Sequence, residues 1–289
     1  MTLLEGQWAL DGLVFGPGTD FNVSSFEIGA PAERLNDRSR SREDGDSSGR
    51  EYRGGRVIAF ELNALGSDYG VLDRLAALEA AWDAEAVRTS TGGVSVLSYR
   101  RGGKTRRVYG RARRFAPVTT LDFAGNVPVT AEFRTFGHAF YDDAEMASTV
   151  SITAAAQGGL VLPLLPPLIL SGSGSGSAPV QIGGTKAAWL LSAIHGPITN
   201  PTVQVVDQWS LTLLTTIAAD QTVVVDPRPW RRTVTRSDGA NLAGAFTADS
   251  QRLSLLRVPP GAHEVILRGQ DPTGTASLTT FWRATWSSY

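Results

Sequence analysis

The sequence predicts a mainly β chain with one amphipathic helix: an N-terminal β-rich α+β domain over residues 1–156, a connector over 157–179 and an all-β domain over 180–289. Three observations predict this. Short apolar, β-branched runs bounded by Gly and Pro recur along most of the 289 residues, as strands separated by turns do. Apolar residues fall at helical spacing in one stretch, 68–83. A Pro/Gly/Ser-rich segment then separates two stretches, each long enough to bury a core without staples.

Taken in order, residues 6–28 read as a β-meander. Trp8, Leu10, Leu13, Val14, Phe15, Phe21, Val23, Phe26 and Ile28 are punctuated by Gly12 and Gly16-Pro17-Gly18. The two-residue spacing slips at Ser24-Ser25, where a bulge switches faces. Residues 33–56 are rich in Arg, Asp, Ser and Gly and poor in apolar side chains. Such a stretch cannot bury enough surface to order itself, so a long loop is expected, either a binding element or disordered. The run RVIAFEL, 56–62, returns as a strand. Ser67 and Asp68 then supply a cap and a first-turn charge for a helix over 68–83, on which Val71, Leu72, Leu75, Leu78, Ala81 and Trp82 recur on one face. That face packs on its own sheet or, alternatively, on a neighbouring subunit.

Residues 94–115 read as a hairpin turning at Gly102-Gly103. Eight of the fifteen residues from Arg100 to Arg114 are Lys or Arg, with Tyr99, Tyr109 and Phe115 interleaved. Nucleic acid is one reading of that pattern. Charged strand faces that block edge pairing, or a basic surface for an acidic protein partner, are the favoured ones, because the chain's formal net charge of -1 gives no global pull toward nucleic acid or anionic membrane. Further strands are expected over 127–141 and 146–154.

The segment 158–179, GGLVLPLLPPLILSGSGSGSAP, has an apolar run too short and too broken by Pro163, Pro166 and Pro167 to cross a bilayer as a helix. It reads as an extended connector with a flexible Ser-Gly tract. Beyond it, Trp189–Trp209 reads as two strands broken by a corner at Gly196-Pro197 and Asn200-Pro201, since each proline fixes φ and removes a donor. Strands are expected at 211–217, 221–226, 230–235, 253–258, 264–267 and 276–286, a spacing that suits a sandwich. In the last of these Leu278, Thr280, Trp282 and Trp286 share a face and Phe281 lies opposite.

Little in the sequence points to catalysis or metal. The chain has no Cys, so neither disulfides nor thiolate chemistry are available. His138, His195 and His263 are far apart and lack metal spacing. The acidic group Asp142, Asp143, Glu145 lacks the glycine-turned loop of a calcium site and reads as a solvated turn. No nucleophile elbow or phosphate loop is present. No cofactor is expected, and the N-terminus, with Glu5 where a signal peptide carries basic residues, does not suggest secretion by that route.

The corner motif G-P-x-T-N-P-x-V (Gly196, Pro197, Thr199, Asn200, Pro201, Val203), followed by P-G-x-x-x-V-x-L (Pro260, Gly261, Val265, Leu267), resembles the C-terminal half of siphophage distal tail proteins. Val225-Asp226 between them resembles a strand end of that family, and His263 stands where the family often has Asn. The proline-rich connector resembles the segment that separates the family's two halves. The run RRVYGRARRF, the helix and the Arg-rich loop resemble its N-terminal half by order of elements. The resemblance implies a galectin-like C-terminal β-sandwich and a structural, non-enzymatic minor tail protein of the bacteriophage virion, assembled in the host cytoplasm. It further implies that the N-terminal domains form a ring, usually of six copies, joining the tail tube protein to a tip hub, tail-associated protein or baseplate. A ring needs two complementary patches per subunit, and Leu72, Leu75, Trp82, Arg106, Arg107 and Arg111 are the candidates for them. The alternative function is a carbohydrate-binding module or glycan-degrading tail protein whose Trp209, Trp230, Trp282 and Trp286, with Tyr289, stack on host-surface glycan, against the simpler reading of these aromatics as core.

Overall fold

Alternation of apolar and polar residues along long strands sets the first sheet. Its strands are β1 (Trp8–Leu10), β2 (Leu13–Phe15), β3 (Phe21–Ile28), β8 (Val57–Leu65), β9 (Ser95–Arg101), β10 (Lys104–Pro117) and β11 (Asn126–Thr135). They lie in the order β2-β1-β9-β10-β11-β8-β3, and β12 (Phe140–Asp142) pairs with β10. All these pairings are antiparallel. On β11 the odd residues Val127, Val129, Ala131 and Phe133 are buried, and on β8 the even residues Ile58, Phe60, Leu62 and Ala64. Helix α1 (Gly70–Asp83) covers that face with Val71, Leu75, Leu78 and Trp82, as an amphipathic helix on a half-buried sheet must. A short helix α2 (Glu85–Thr89) follows. The bulge expected at Ser24-Ser25 is present, as a register shift between Val23 and Ser25.

The computed structural model describes residues 2–67, 70–118, 125–152, 173–271 and 273–289. The expected helix start at 68 and residues 157–172 of the expected connector lie outside them. The chain divides into two compact units, Met1–Asp143 with Trp286–Tyr289, and Ala144–Thr285. The division therefore lies after Asp143 rather than near 156, and residues 286–289 return to the first unit.

The stretch 33–56, expected as a loop, is a narrow hairpin arm. Strands β4 (Glu33–Arg34) and β7 (Tyr52–Arg53) pair at its base, and β5 (Arg38–Ser39) and β6 (Asp46–Ser47) pair nearer the tip. All eight of these strand residues are exposed. The ladder is extended by Gly54 N–H to Ala32 O (2.6 Å) and Arg40 N–H to Gly45 O (3.1 Å). Backbone pairing, with no apolar core of its own, orders this segment, which hydrophobicity could not foresee.

In the second unit two sheets enclose one core. The first runs β13 (Met146–Ser151), β24 (Ser277–Trp282), β16 (Leu191–His195), β20 (Thr222–Asp226), β21 (Thr233–Arg236). The other runs β14 (Ser173–Ile182), β23 (Gly261–Gln270), β17 (Ile198–Val205), β18 (Trp209–Thr212), with β19 (Thr216–Ile217) beside β17. Val150, Ile194, Val225 and Leu278 from one sheet share a cluster with Val180, Val203, Leu211 and Leu267 from the other, so the unit is a β-sandwich. A small ladder joins β15 (Ala188–Trp189) to β22 (Arg257–Val258). The expected strand at 253–258 is a 3-10 turn, Leu253–Leu255, followed by that two-residue strand.

Two local differences have clear causes. The Ser-Gly tract from Ser173 onward is strand β14 rather than linker because it pairs along its length with β23, and Gly176 is required there since a Cβ would lie 2.1 Å from Ser151 O of β13. Asn200-Pro201 does not separate strands but forms a bulge inside β17, where register against β23 shifts between Thr199 and Thr202 and Asn200 takes φ 51°. The turn itself is at Gly196-Pro197, a cis peptide, where a Cβ on Gly196 would lie 2.1 Å from Ala218 O. Among the described residues no helix is long and apolar enough to cross a membrane.

Candidate interaction surfaces

Of the helix residues proposed to meet a neighbour, Leu75 and Trp82 face the unit's own core, and the Trp82 Nε1–H donates to Glu132 O at 3.1 Å. Leu72 stays 39% exposed, on an outer helix face with Asp73, Ala76, Ala77, Glu79 and Ala80. Near the C-terminal end of α1 a groove of about 320 Å³ is lined by Leu10, Leu13, Ala80, Ala81, Ala84 and Val87 among others.

The Arg-rich hairpin is not a single basic patch. Gly102 and Gly103 turn with φ 59° and 75°, which glycine adopts without strain. Their N–H groups donate to the Glu5 carboxylate at 2.5 and 3.2 Å, holding Glu5 below its usual range. Beyond the turn the strand alternates. Arg107, on the outer face, donates through Nε to Asp143 at 2.9 Å and lines a groove of about 300 Å³ with Ala9, Asp11, Ser98 and Thr105. Burial pushes its guanidinium pKa down, but the Asp143 hydrogen bond and charge outweigh this and leave it raised. Arg111 donates to Gly93 O (3.0 Å) and Ser90 O (2.9 Å), closing the segment after α2. Arg106 points the other way. Direct register partners Phe15, Trp8, Tyr99 and Arg106 form one column across β2, β1, β9 and β10, so this arginine ends an aromatic row on the core side.

The arm presents Leu35 and Tyr52, both exposed. The guanidinium groups of Arg34 and Arg50 lie 5.6 and 5.4 Å from the Tyr52 ring centroid, and Arg53 pairs with Glu33 at 3.5 Å. The sequence leaves this segment as either a binding element or disordered and singles out no residue on it. Tyr52, the one aromatic in an otherwise polar stretch, was the available signal.

The four tryptophans of the glycan reading are divided between the two units. Trp209 and Trp282 are 6% and 5% exposed, inside the sandwich, because both fall on inward-facing positions of β18 and β24. Trp230 is half-buried, and Trp286 packs on the core of the first unit. Among the described residues no group of three or more acidic or His side chains is placed to hold a metal ion. His195 Nδ1 lies 2.8 Å from the Thr222 hydroxyl and His263 Nε2 lies 2.9 Å from Pro259 O. Asp142, Asp143 and Glu145 face Arg106, Arg107 and Arg283 respectively, so ion pairs form within this partly exposed bend. Of the motif residues, Gly196 and Pro197 form the turn before β17, Thr199, Asn200 and Pro201 lie in β17, and Pro260-Gly261 opens β23.

No protein-family model matches the chain, and no curated protein does. Solved structures do match. The SPP1 Dit (gp 19.1) protein, described as a paradigm of the hub adsorption apparatus in phages infecting Gram-positive hosts, is similar over 96% of this chain and 98% of its own, at TM-score 0.62 and 14% identity. A chain of the phage P2 baseplate in its activated conformation with Ca is similar over 98% of both chains, at TM-score 0.57 and 10% identity. The chain therefore has the fold of these proteins over nearly its whole length.

Proposed function

We propose that this chain is a structural, non-enzymatic subunit of a siphophage tail tip, forming a ring of six copies that joins the tail tube to the tip hub or baseplate in the virion. The observation that carries the reading is the end-to-end likeness to the SPP1 Dit protein, both units included. The first unit supplies the means for a ring. Head-to-tail closure needs two unlike surfaces on each copy. The arm is one, with Leu35, Tyr52 and its arginines exposed. The outer face of α1 is the other, with Leu72 and the alanines framed by Asp73 and Glu79; its carboxylates suit the arm's guanidinium groups. Leu75 and Trp82 hold the α1 face from beneath. The sandwich unit is then carried by the ring, and neighbouring tail proteins dock on the assembly.

Light scattering coupled to size exclusion, with negative-stain imaging, tests this. Six-fold rings at micromolar protein, alone or with the tail tube protein, are expected. Monomers at every concentration, with and without that partner, would overturn it.

A further inference from the structure

The first unit holds a buried cation that its own continuous chain does not satisfy. Arg106 has an 8% exposed side chain on the core face of β10, and its Nε, though 3.7 Å from Asp142 Oδ1, makes no hydrogen bond. Its other polar and ring partners come from residues 286–289. The guanidinium lies 4.4 Å from the Trp286 ring centroid and 5.6 Å from that of Tyr289, and its Nη1 donates to Ser288 O at 2.6 Å. A second arginine, Arg56, donates to Ser287 O at 3.1 Å while its guanidinium sits 5.1 Å from the Phe140 ring. The aromatic ends are held as well. Trp286 Nε1–H donates to Asp142 Oδ1 at 2.8 Å, and the Tyr289 hydroxyl donates to Tyr99 O at 2.6 Å.

We infer that the first unit contains a peptide-binding site, built on Arg56, Arg106, Asp142 and Tyr99, whose ligand is an aromatic Trp-x-x-Tyr segment, supplied here by Trp286–Tyr289 of the same chain. Each part of the segment has a matching element: planar cations for the rings and the carbonyls, a carboxylate for the indole N–H, and a main-chain carbonyl for the phenol. Burial raises the Tyr289 pKa, consistent with a neutral hydroxyl that donates. Without the segment Arg106 loses both rings and the Ser288 carbonyl, and of these partners keeps only Asp142, at 3.7 Å.

The full chain and a version ending at Thr285 are compared by amide hydrogen exchange. Loss of the segment is expected to speed exchange at least tenfold in 104–109 and 140–142 while the sandwich strands β16, β20 and β24 keep their protection. A dye-labelled peptide of sequence TWSSY is expected to bind the shortened chain and restore protection, with binding weakened at least tenfold by Arg106→Gln. Because the shortened chain can lose its whole first unit, full-length Trp286→Ala and Tyr289→Phe variants give a second reading: faster exchange confined to the same segments. Unchanged exchange in all three variants, or equal loss in both units, would overturn the site.

Discussion

At the scale of single residues, the carboxylates that hold turns predict the acid behaviour. Asp238 is brought down to about 2 by Arg236, whose Nη2 lies 2.7 Å away, and by the Ala240 N–H. Asp271 is pushed up by burial, but the N–H of Ala276 and the hydroxyl and N–H of Thr273 outweigh this and leave it lowered. A carboxylate whose folded pKa lies below its unfolded one contributes stability above the unfolded value and loses it as pH falls through the folded one. The urea midpoint should thus be insensitive to these groups above pH 5 and fall between about pH 4 and 2, less steeply in Asp238→Asn, as a pH series of unfolding curves will show. Asp271→Ala leaves the buried Ala276 N–H without its acceptor and should cost about 1–3 kcal/mol at neutral pH, measured in the same way.

At the scale of elements, the legible parts were those whose burial follows a simple period. Helix α1 follows from Val71, Leu75, Leu78 and Trp82, and the β9–β10 hairpin from Gly102-Gly103 between alternating runs. Leu72 sits at helical spacing yet faces out, because the buried stripe is narrower than the apolar one. What stayed illegible was ordered by backbone approach. The arm's strands are held by pairing with each other while its few apolar residues, Leu35 and Tyr52, stay exposed, and Gly176 looks like linker until β13 is seen to cross it. Gly176→Val should therefore destabilise the sandwich by about 1–3 kcal/mol through overpacking, detectable by thermal unfolding. Replacing residues 33–53 with two glycines should leave the melting temperature of the first unit within a few degrees while abolishing rings, since the arm buries none of that core. Rings surviving the deletion would remove the arm from the assembly.

At the scale of the whole molecule, sequence reading recovered two β-rich halves with the sandwich second, and the family resemblance agrees with the fold likeness now measured. It missed where the halves divide. A linear reading assigns each residue to the half in which it falls, whereas Trp286–Tyr289 contribute to a core whose other members precede residue 143. Nothing in WSSY announces that destination; its partners Arg56, Arg106, Asp142 and Tyr99 come together only once the sheet is folded. Because each unit has its own apolar cluster, calorimetry should resolve two transitions, with a calorimetric enthalpy exceeding the van't Hoff value.

The return of residues 286–289 to the first unit has a consequence in time. A ribosome makes residues 1–143 first, then 142 more (144–285) before that unit's final pieces emerge. At about 5–20 residues per second this is a delay of roughly 7–30 s. Nascent copies on one messenger would hold a first unit still without Trp286–Tyr289 through that interval.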